Sequence, residues 1–513
     1  MIMEKNELEI GGCSETCRDC NHCGTAFGKL DLDMLHEECE KLHEGCEKLH
    51  EECGVFGVYS YSEELAVAPC VYHGLVALQH RGQESCGIAV SDRGVFNHHK
   101  DMGLVSEVFN KEILDGLPGQ AAIGHVRYST AGGSVRENSQ PLVMRYIKGF
   151  LGLAHNGNLT NAHELRSELE ERGAIFQTTI DSEVIAYTIA RERLNYHSVQ
   201  EAVKAAMQKL HGAYSLLVMS PRKLIAARDP KGFRPLCMGR IDNDIVFASE
   251  SCALDAVGAQ FMRDVDPGEI ITCDKNGIHS DRSLCTKDIA HCVFEYIYFA
   301  RTDSVIDGVS VYDSRRQAGR QLAKQKPVNA DIVIGVPESG IDAAIGYAEE
   351  SGIPYAKGII KNNYIGRTFI KPDQSQRTNA VRLKLNALKS IVGGRRVVML
   401  DDSIVRGTTM QRIVSMLREA GASEVHVRIS SPAFRNPCFY GVDIPSAEDL
   451  IANQHTVEEI TELIGADSLD FLDLDAIGKL TCGKKMPLCT ACFDGRYPDG
   501  ITTHHMSKDD KIL

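Results

Sequence analysis

The sequence lacks any run of about 18 or more apolar residues, and this excludes a membrane-spanning helix. It also lacks a surplus of basic residues. The net charge of −14 argues against a nucleic-acid-binding protein, which would need a basic face. The first residues include Glu4, Glu7 and Glu9 but neither a basic segment nor an apolar stretch, so we expect no secretory signal.

The composition is that of a globular protein with large cores. Of the 513 residues, 43% are hydrophobic and 25% are charged, and the length suffices for two or more domains. The 18 cysteines of this acidic chain fit reduced thiols or metal ligands better than a disulfide framework. We therefore expect a cytoplasmic protein.

Residues 1–52 differ from the rest of the chain. A seven-residue unit, Leu-His-Glu-x-Cys-Glu-Lys, begins at Leu35 and at Leu42, and a shortened third copy begins at Leu49. The segment has too few apolar residues to form a core. Four cysteines upstream of the repeats are close enough to bind a metal, although an unstructured leader explains them equally well: Cys13, Cys17, Cys20 and Cys23.

Cys53 opens the first globular pattern, Cys-Gly-Val-Phe-Gly-Val-Tyr. A thiol at neutral pH is mostly protonated and needs a base to become a nucleophile. A free α-amino group on the same cysteine has a pKa of about 8 and can accept that proton. The pattern resembles the mature N-terminus of the class II glutamine amidotransferases, in which the nucleophile is the N-terminal residue. The resemblance implies that residues 1–52 are a propeptide whose removal exposes Cys53. Cys39 and Cys46 hold equivalent positions in the repeats but do not begin this pattern, and a buried cysteine that opens a strand is the alternative interpretation of Cys53.

Four later segments supply other groups that glutamine hydrolysis needs, at residues 78–85, 123–130, 154–159 and 179–183. In this order after the Cys53 pattern, they resemble the class II glutamine amidotransferases, the N-terminal-nucleophile family. The resemblance implies that the Asn156 side-chain amide and the Gly157 backbone N–H stabilise a tetrahedral oxyanion. Taken alone, His-Asn-Gly is also typical of a hairpin turn.

The same resemblance implies how glutamine is bound. Arg127 would hold the α-carboxylate in a bidentate contact, and Asp181 would pair with the α-amino group. Arg81 would help to close the glutamine pocket. Seen singly, Arg81 and Asp181 could equally be surface charges or helix caps.

The resemblance implies an αββα sandwich, the fold of that family, and the spacing of apolar runs in this half suits it. Short strands are predicted at 149–154, 215–219 and 245–248, and helices at 164–172 and 182–193. We interpret two further matching motifs, at 229–236 and 249–251, as structural or interdomain. The predicted glutaminase domain covers residues 53–284.

Residues 397–409 indicate a different chemistry. The apolar run 397–400 predicts a buried parallel strand, and Asp401 and Asp402 stand at its carboxyl end, where open α/β sheets bind ligands. The loop that follows is rich in hydroxyls and glycine and can bind a phosphate, with a helix expected near Thr409. An acidic, solvated turn after a strand is the alternative.

This stretch resembles the phosphoribosyl diphosphate (PRPP) signature of type I phosphoribosyltransferases. The resemblance implies that Asp401 and Asp402 hold the ribose hydroxyls and one Mg²⁺ ion. It also implies that the loop holds the 5′-phosphate through five residues: Ser403, Arg406, Gly407, Thr408 and Thr409.

Two further segments match the same family. A strand at 331–336 ends in Pro-Glu-Ser-Gly, and the resemblance places Ser339 at the Mg²⁺ site. Residues 361–377 resemble the mobile catalytic loop that closes over PRPP, with Lys361 and Arg367 as PRPP-binding residues. An ordinary basic surface loop is the alternative. We predict a transferase domain with a mainly parallel sheet over residues 285–470.

Four cysteines of the second half have flanks that match an iron–sulfur branch of the enzymes that combine both domains: Cys292, Cys438, Cys489 and Cys492. Cys489 and Cys492 form a C-x-x-C, which alone could be redox-active or bind zinc. The resemblance implies one [4Fe–4S] cluster per chain, with a structural role that ties the C-terminal segment 471–513 to the transferase domain. Cys482 is a competing ligand whose flanks do not match.

Taken together, residues 53–500 resemble the glutamine PRPP amidotransferases. The resemblance implies synthesis of 5-phosphoribosylamine from PRPP, glutamine and water, in a homotetramer inhibited by purine nucleotides. Two other classes of protein deserve comparison. Another class II amidotransferase would lack the PRPP signature, and a non-catalytic PRPP-sensing regulator would need no nucleophile and would carry a DNA-binding segment.

Overall fold

The computed structural model of the protein describes residues 53–62, 64–128, 133–362, 385–442, 444 and 446–500. The predicted propeptide, with its repeats and cysteines, lies outside the described residues. So do Arg367 and most of the loop predicted to close over PRPP.

Two antiparallel sheets form the N-terminal half of the described chain. Their strands are β1 (Gly54–Tyr59), β2 (Ser85–Asp92), β3 (Val95–Met102), β4 (Ala121–Arg127), β5 (Leu142–Tyr146), β6 (Gly149–Leu159), β7 (Gly212–Ser220), β8 (Lys223–Arg228), β9 (Cys237–Ile241), β10 (Asp244–Ala248), β11 (Gln260–Asp264), β12 (Ile270–Asp274) and β13 (Gly277–Asp281). The first sheet has the order β11-β9-β10-β1-β4-β2-β3, and the second has the order β13-β12-β8-β7-β6-β5.

Helices cover the outer faces of both sheets. They are α1 (Val67–Ala77), α2 (Val105–Val108), α3 (Lys111–Asp115), α4 (Ala162–Glu170), α5 (Asp181–Asn195), α6 (Val199–Met207) and α7 (Ser251–Ala256), with a 3₁₀ turn at Arg136–Asn138. Helix α1 packs on the first sheet, and α5 and α6 pack on the second. A third apolar cluster, which includes Val55 and Leu217, fills the space between the sheets. The predicted αββα sandwich is confirmed.

The C-terminal half contains a parallel sheet. Strands of this half are β14 (His291–Cys292), β15 (Val305–Ile306), β16 (Val309–Ser310), β17 (Ile332–Gly335), β18 (Ile359–Lys361), β19 (Leu385–Ala387), β20 (Arg396–Asp401), β21 (Glu424–Ile429), β22 (Ser468–Phe471) and β23 (Leu488–Cys489). The parallel sheet has the order β17-β20-β21-β22. The remaining strands pair as β14 with β23, β15 with β16 and β18 with β19.

Helices flank the parallel sheet on both faces. The helices of this half are α8 (Val311–Gln325), α9 (Gly340–Ser351), α10 (Lys389–Val392), α11 (Thr408–Glu419), α12 (Ile451–Gln454), α13 (Val457–Ile464) and α14 (Ala491–Asp494). A π-helix covers Glu295–Phe299, and 3₁₀ turns cover Ala447–Asp449 and Leu474–Lys479. Along β20, Val398 and Leu400 pack in the cluster that includes α8 and α9, whereas Val397 and Met399 pack in the cluster that includes α11 and α13. Burial on both faces explains the uninterrupted apolar run of this strand.

Buried ion pairs join the two halves. Arg234, from the motif predicted to be interdomain, lies 3.3 Å from the carboxylate of Glu295 in the π-helix. Arg228 at the end of β8 pairs with Asp307 over 2.7 Å.

Among the described helices, none combines the length and the apolar character that a membrane crossing requires.

Candidate active site

Cys53 directly precedes β1, which lies between β10 and β4 in the seven-stranded sheet. All six residues of β1 are buried. The Cys53 side chain is buried too, and its thiol donates to the backbone carbonyl of Tyr128 over 3.5 Å. The start of a central strand thus holds the predicted nucleophile in an enclosed and fixed position.

Asn156 and Gly157 lie on β6, in the facing sheet, so their segment continues a strand and does not form a hairpin turn. The Asn156 side chain is 0% exposed, yet neither its amide nitrogen nor its amide oxygen has a hydrogen-bond partner among the described residues. Leaving a buried polar group unpaired costs about 1–3 kcal/mol. A ligand that pairs with this amide would recover that cost.

Gly157 could not be replaced by a larger residue without moving the backbone. Its φ angle is +138°, and a Cβ atom at this position would lie 2.1 Å from the carbonyl oxygen of Ala213. Glycine alone tolerates both the angle and the close approach of the neighbouring strand. The requirement for glycine here is therefore steric.

Arg127 ends β4 and is 2% exposed. Because Gly54 pairs with Val126 in the antiparallel register of β1 and β4, Cys53 and Arg127 lie side by side at the strand ends. One guanidinium nitrogen lies 3.9 Å from the carboxylate of Glu84 and donates to the carbonyl of Gly133 over 3.3 Å. The predicted carboxylate-binding arginine is thus next to the predicted nucleophile.

Asp181 is the first residue of α5 and is buried. Its carboxylate accepts a hydrogen bond from the backbone N–H of Leu159 over 2.9 Å and lies 3.5 Å from Nδ1 of His155. Burial alone would raise the pKa of Asp181, but the interactions with His155 and the backbone N–H groups outweigh burial and lower it. Asp181 is therefore ionised at neutral pH, as pairing with an α-amino group requires.

Arg81 contacts the backbone of the predicted nucleophile. Its side chain is wholly buried, and Nε donates to the backbone carbonyl of Cys53 over 3.0 Å. The terminal nitrogens pair with the carboxylates of Glu250, at 2.6 Å, and Glu295, at 2.7 Å. These contacts fix Arg81 beside the backbone of Cys53, and its role in closing the glutamine pocket stays a prediction.

The second site lies at the carboxyl end of the parallel sheet. Asp401 ends β20, Asp402 follows it, and both are about 5% exposed. Hydroxyl groups of Ser339 and Ser403 each donate to the Asp402 carboxylate. The structure therefore brings together the three residues predicted to bind Mg²⁺, although Ser339 and the two aspartates are 62 or more residues apart in sequence.

The loop between β20 and α11 has the form expected of a phosphate site. Gly407 has φ of +89° and caps α11, whose first residue is Thr408, one residue before the predicted start. A twelve-residue helix begins here, so its N-terminal N–H groups and dipole face the loop. Lys361, at the end of β18, lies 3.7 Å from the carboxylate of Glu338 in the turn after β17.

The four thiols predicted to bind a cluster come together from three segments. The parallel pairing of β14 and β23 places Cys292 opposite Cys489. The backbone N–H of Asn436, near Cys438, donates to the carbonyl of Cys492 over 3.1 Å. Burial raises the pKa of Cys492 well above its usual value, and the neighbouring thiols of Cys438, Cys489 and Cys292 raise it further. The Cys492 thiol is therefore protonated at neutral pH, and a bound metal centre would displace its proton.

Cys482 stands apart from these four. It is exposed, and its charged neighbours are Asp313 and Arg320. No three His, Cys, Asp or Glu side chains in the described ranges are spaced to hold a single metal ion.

The sequence does not show which residues support the first site. His125 and Gln140 bond to the backbone of His155, while Glu250 and Glu295 pair with Arg81, which donates to the carbonyl of Cys53. Glu295 meets Arg81 across 214 positions of sequence. A single charged residue is usually exposed, so only the three-dimensional pairing identifies these carboxylates as buried partners.

Models of two protein families match the chain. A glutamine amidotransferase domain matches residues 125–256, and a phosphoribosyl transferase domain matches residues 310–432. The first contains Arg127, Asn156, Gly157 and Asp181, and the second contains Ser339, Asp401 and Asp402. An amidotransferase without a PRPP site, or a PRPP-binding regulator without a glutaminase half, would not match both.

Relatives extend the match to most of the chain. The amidophosphoribosyltransferase of Methanocaldococcus jannaschii is 50% identical over 463 residues, which cover 87% of this chain and 98% of that protein. The Bacillus subtilis amidophosphoribosyltransferase is 50% identical over 476 residues, which cover 92% of this chain and 96% of that protein.

Solved structures agree with these relatives. The B. subtilis glutamine PRPP amidotransferase in complex with ADP and GMP is 49% identical, with a TM-score of 0.80, and the match covers 87% of this chain and 97% of that chain. A structure described as the allosteric regulatory enzyme of purine biosynthesis is 48% identical, with a TM-score of 0.83, over 90% of this chain and 99% of that chain. The chain therefore belongs to the amidophosphoribosyltransferase family.

Proposed function

We propose that the site at Cys53 and the site at Asp401 and Asp402 carry the two half-reactions of this enzyme. The protein converts PRPP, glutamine and water to 5-phosphoribosylamine, glutamate and diphosphate, the first committed step of purine biosynthesis. The observation that supports the assignment best is the presence, in one chain, of a buried cysteine beside Arg127 and an aspartate pair at the edge of a parallel sheet.

The glutaminase half-reaction begins when the Cys53 thiolate attacks the side-chain amide carbon of glutamine. The developing oxyanion is held by the Asn156 amide and the Gly157 backbone N–H, and ammonia leaves as a glutamyl thioester forms. Arg127 holds the α-carboxylate and Asp181 holds the α-amino group. Arg81 fixes the backbone of Cys53 from behind. Water then hydrolyses the thioester and releases glutamate.

The transferase half-reaction uses ammonia that passes through the protein to PRPP. Asp401 and Asp402 orient the ribose hydroxyls, and the loop 403–409 binds the 5′-phosphate through its hydroxyl and backbone N–H groups. Lys361 contacts the diphosphate, and the family resemblance implies that Arg367 is a further PRPP-binding residue. Ammonia then displaces diphosphate with inversion at the anomeric carbon.

A Mg²⁺ ion is the cofactor that suits the second site. Ser339, Asp401 and Asp402 offer oxygen ligands, and a magnesium site of this kind takes one or two carboxylates and completes its shell with substrate phosphates and water. When bound, the ion would neutralise charge on the leaving diphosphate. The Asp402 carboxylate would bind the ion in place of the hydroxyl groups of Ser339 and Ser403.

A [4Fe–4S] cluster is the group that suits the four converging thiols. Cys292, Cys438, Cys489 and Cys492 supply thiolate-only ligation. Amide transfer contains no oxidation step, so the cluster would join the C-terminal segment to the transferase domain as a structural centre.

The separation of the two half-reactions can be tested with Cys53→Ala. This substitution removes the nucleophile and should abolish synthesis from glutamine, while synthesis from free ammonia should continue because PRPP binds in the other half. The two rates are measured by release of diphosphate with each nitrogen source. Cys70→Ala, which shortens another buried cysteine in α1, serves as the control and should keep both activities. Equal loss of both activities in Cys53→Ala would contradict the division of labour.

We also propose that residues 1–52 are a propeptide. The mature protein should begin at Cys53, so that its α-amino group can act as the base. Intact-protein mass spectrometry of the active enzyme checks this directly. A gene that encodes methionine directly before Cys53 should give equal activity once the methionine is removed. A fully active enzyme that retains Met1 would rule out the terminal-nucleophile mechanism.

Three broader properties stay proposals. Inhibition by purine nucleotides is supported by the relative whose structure contains ADP and GMP. A homotetramer is supported by family resemblance alone. A cytoplasmic location is supported by the abundance of cysteine without a disulfide framework.

A further inference from the structure

The edge of β6 loses its strand partner just before the oxyanion-stabilising residues. Pairing between β5 and β6 stops where Leu142 meets Leu153, whereas β6 continues to Leu159. On its other edge, β6 stays paired with β7 through the whole segment 152–159. Buried backbone N–H and C=O groups need partners, so the uncovered edge must be satisfied in another way.

Two side chains take the place of the missing strand at His155. Its backbone N–H donates to Oε1 of Gln140 over 3.1 Å, and its carbonyl accepts from Nε2 of His125 over 2.9 Å. His125 is 0% exposed and Gln140 is 4% exposed. Gln140, from just before β5, therefore holds the Ala154–His155 peptide, and His125, from the facing sheet, holds the next peptide, His155–Asn156.

Strand geometry directs the Gly157 N–H to the same uncovered edge. Gly157 pairs with Tyr214 of β7, but the backbone N–H and C=O of Tyr214 point away from β6 and bond to Asp229. The backbone groups of Gly157 therefore do not bond to Tyr214. On the near side, the N–H of Leu159 donates to Asp181. Alternate residues of a strand direct their N–H groups to the same edge. The Gly157 N–H therefore points to the uncovered edge, between the N–H groups of His155 and Leu159, which donate to side chains.

His125 has a defined protonation state. Burial lowers the pKa of His125 to about 3, against the opposing effect of its hydrogen bond to the His155 carbonyl. The ring is thus neutral at physiological pH and carries one proton. Since the carbonyl can only accept, we assign that proton to Nε2, and Nδ1 carries the lone pair.

We propose that His125, assisted by Gln140, is a positioning residue for glutamine hydrolysis. It fixes the peptide between His155 and Asn156, so that the Asn156 amide and the Gly157 N–H keep the spacing that the oxyanion requires. The inference rests on the proposed role of those two groups and adds the side chains that align them.

The test compares His125→Leu, which removes the donor, with His125→Gln, which keeps an N–H donor of similar reach. For His125→Leu we expect kcat with glutamine to fall about 10²-fold, the effect of a misplaced catalytic group. The KM for glutamine should change little, and synthesis from free ammonia should be unchanged. His125→Gln should recover at least about tenfold of the lost rate. Gln140→Leu should lower kcat in the same direction.

A second readout reports the oxyanion directly. The Cys53 sulfur adds to the carbonyl carbon of the γ-aldehyde analogue of glutamine and forms a hemithioacetal. The thiol proton either moves to the former aldehyde oxygen or stays on the base. That oxygen would occupy the oxyanion position. Affinity for the aldehyde should therefore fall in parallel with kcat across the His125 variants. If His125 acted only on overall stability, affinity and kcat would not be correlated.

Asn156→Ala separates failure of this inference from failure of the proposed function. If Asn156→Ala is inactive and His125→Leu matches the unmodified enzyme, His125 has no positioning role. If Asn156→Ala retains full activity with glutamine, the proposed oxyanion site itself is wrong, and the inference falls with it. Equal loss of ammonia-dependent synthesis in His125→Leu would also overturn the inference, because the residue would then act on the whole fold.

Discussion

At the scale of the residue, the two sites differ in how their polar groups are satisfied before substrate binds. The Asn156 amide is buried and unpaired among the described residues, whereas the Asp402 carboxylate accepts hydrogen bonds from two serine hydroxyls. Under the proposed assignments, glutamine would add a contact to the Asn156 amide, whereas PRPP and Mg²⁺ would replace the serine contacts of Asp402.

Removing one charge at the second site should impair every reaction that consumes PRPP. We expect Asp402→Asn to lower both glutamine- and ammonia-dependent synthesis by about 10²–10³-fold, because it weakens the hold on the ribose or on Mg²⁺ by a few kcal/mol. Steady-state rates with PRPP and each nitrogen source measure this. Asp331→Asn is the control, since Asp331 pairs with Arg396 at the opposite end of β20 and should not affect PRPP. Unchanged PRPP kinetics in Asp402→Asn would refute the assignment.

At the scale of the element, the turn between β20 and α11 is the clearest link between backbone and function. Gly407 has positive φ, and a Cβ atom there would lie 2.8 Å from the Ile451 side chain. Ile451 also bonds to the loop, since its N–H donates to the carbonyl of Val405 over 2.9 Å. The shape of the predicted phosphate loop thus depends on one glycine and on the neighbouring α12.

Gly407→Ala should strain this turn by about 1–3 kcal/mol and raise the KM for PRPP about tenfold or more. Gly352→Ala is a matched control, because Gly352 has φ of +75° at the end of α9 and a Cβ atom there would meet nothing within 4 Å. The control should lose stability to a similar degree and keep its PRPP affinity. Thermal unfolding measures the stability of both variants, and PRPP titration measures their KM for PRPP. An unchanged KM in Gly407→Ala would contradict the role of the turn.

The sequence predicts those elements whose signal is local. The apolar run and acidic end of β20 suffice to place the strand, and the helices expected at 164–172 and 182–193 correspond to α4 and α5. The strand expected at 149–154 is longer, because β6 continues through Asn156 to Leu159. Partners on the uncovered edge of β6 and the burial of Arg81 are not predictable, since each depends on residues from distant parts of the chain.

At the scale of the whole molecule, the four thiols join segments that no single element connects. Replacing Cys489 by serine should give colourless, poorly soluble protein, because one ligand of the proposed cluster is lost. Cys482→Ser is the matched control and should stay brown and active, since Cys482 is exposed and lies apart from the four thiols. Iron content, about four per chain after anaerobic purification, and visible absorbance measure the outcome. Zinc without iron would exclude the cluster, and bleaching by Cys482→Ser alone would show that the ligand choice is wrong.

The position of Glu295 limits how this enzyme can be recombined with others. Glu295 belongs to the C-terminal half, yet its carboxylate pairs with Arg81 and Arg234, two fully buried cations of the N-terminal half. A chimaera that grafts this glutaminase onto another acceptor domain without an acid at that position would bury a cation with one counter-charge fewer, at a cost of several kcal/mol. The two halves therefore are not interchangeable modules, and a chimaera with this glutaminase half needs an acidic residue at the position of Glu295.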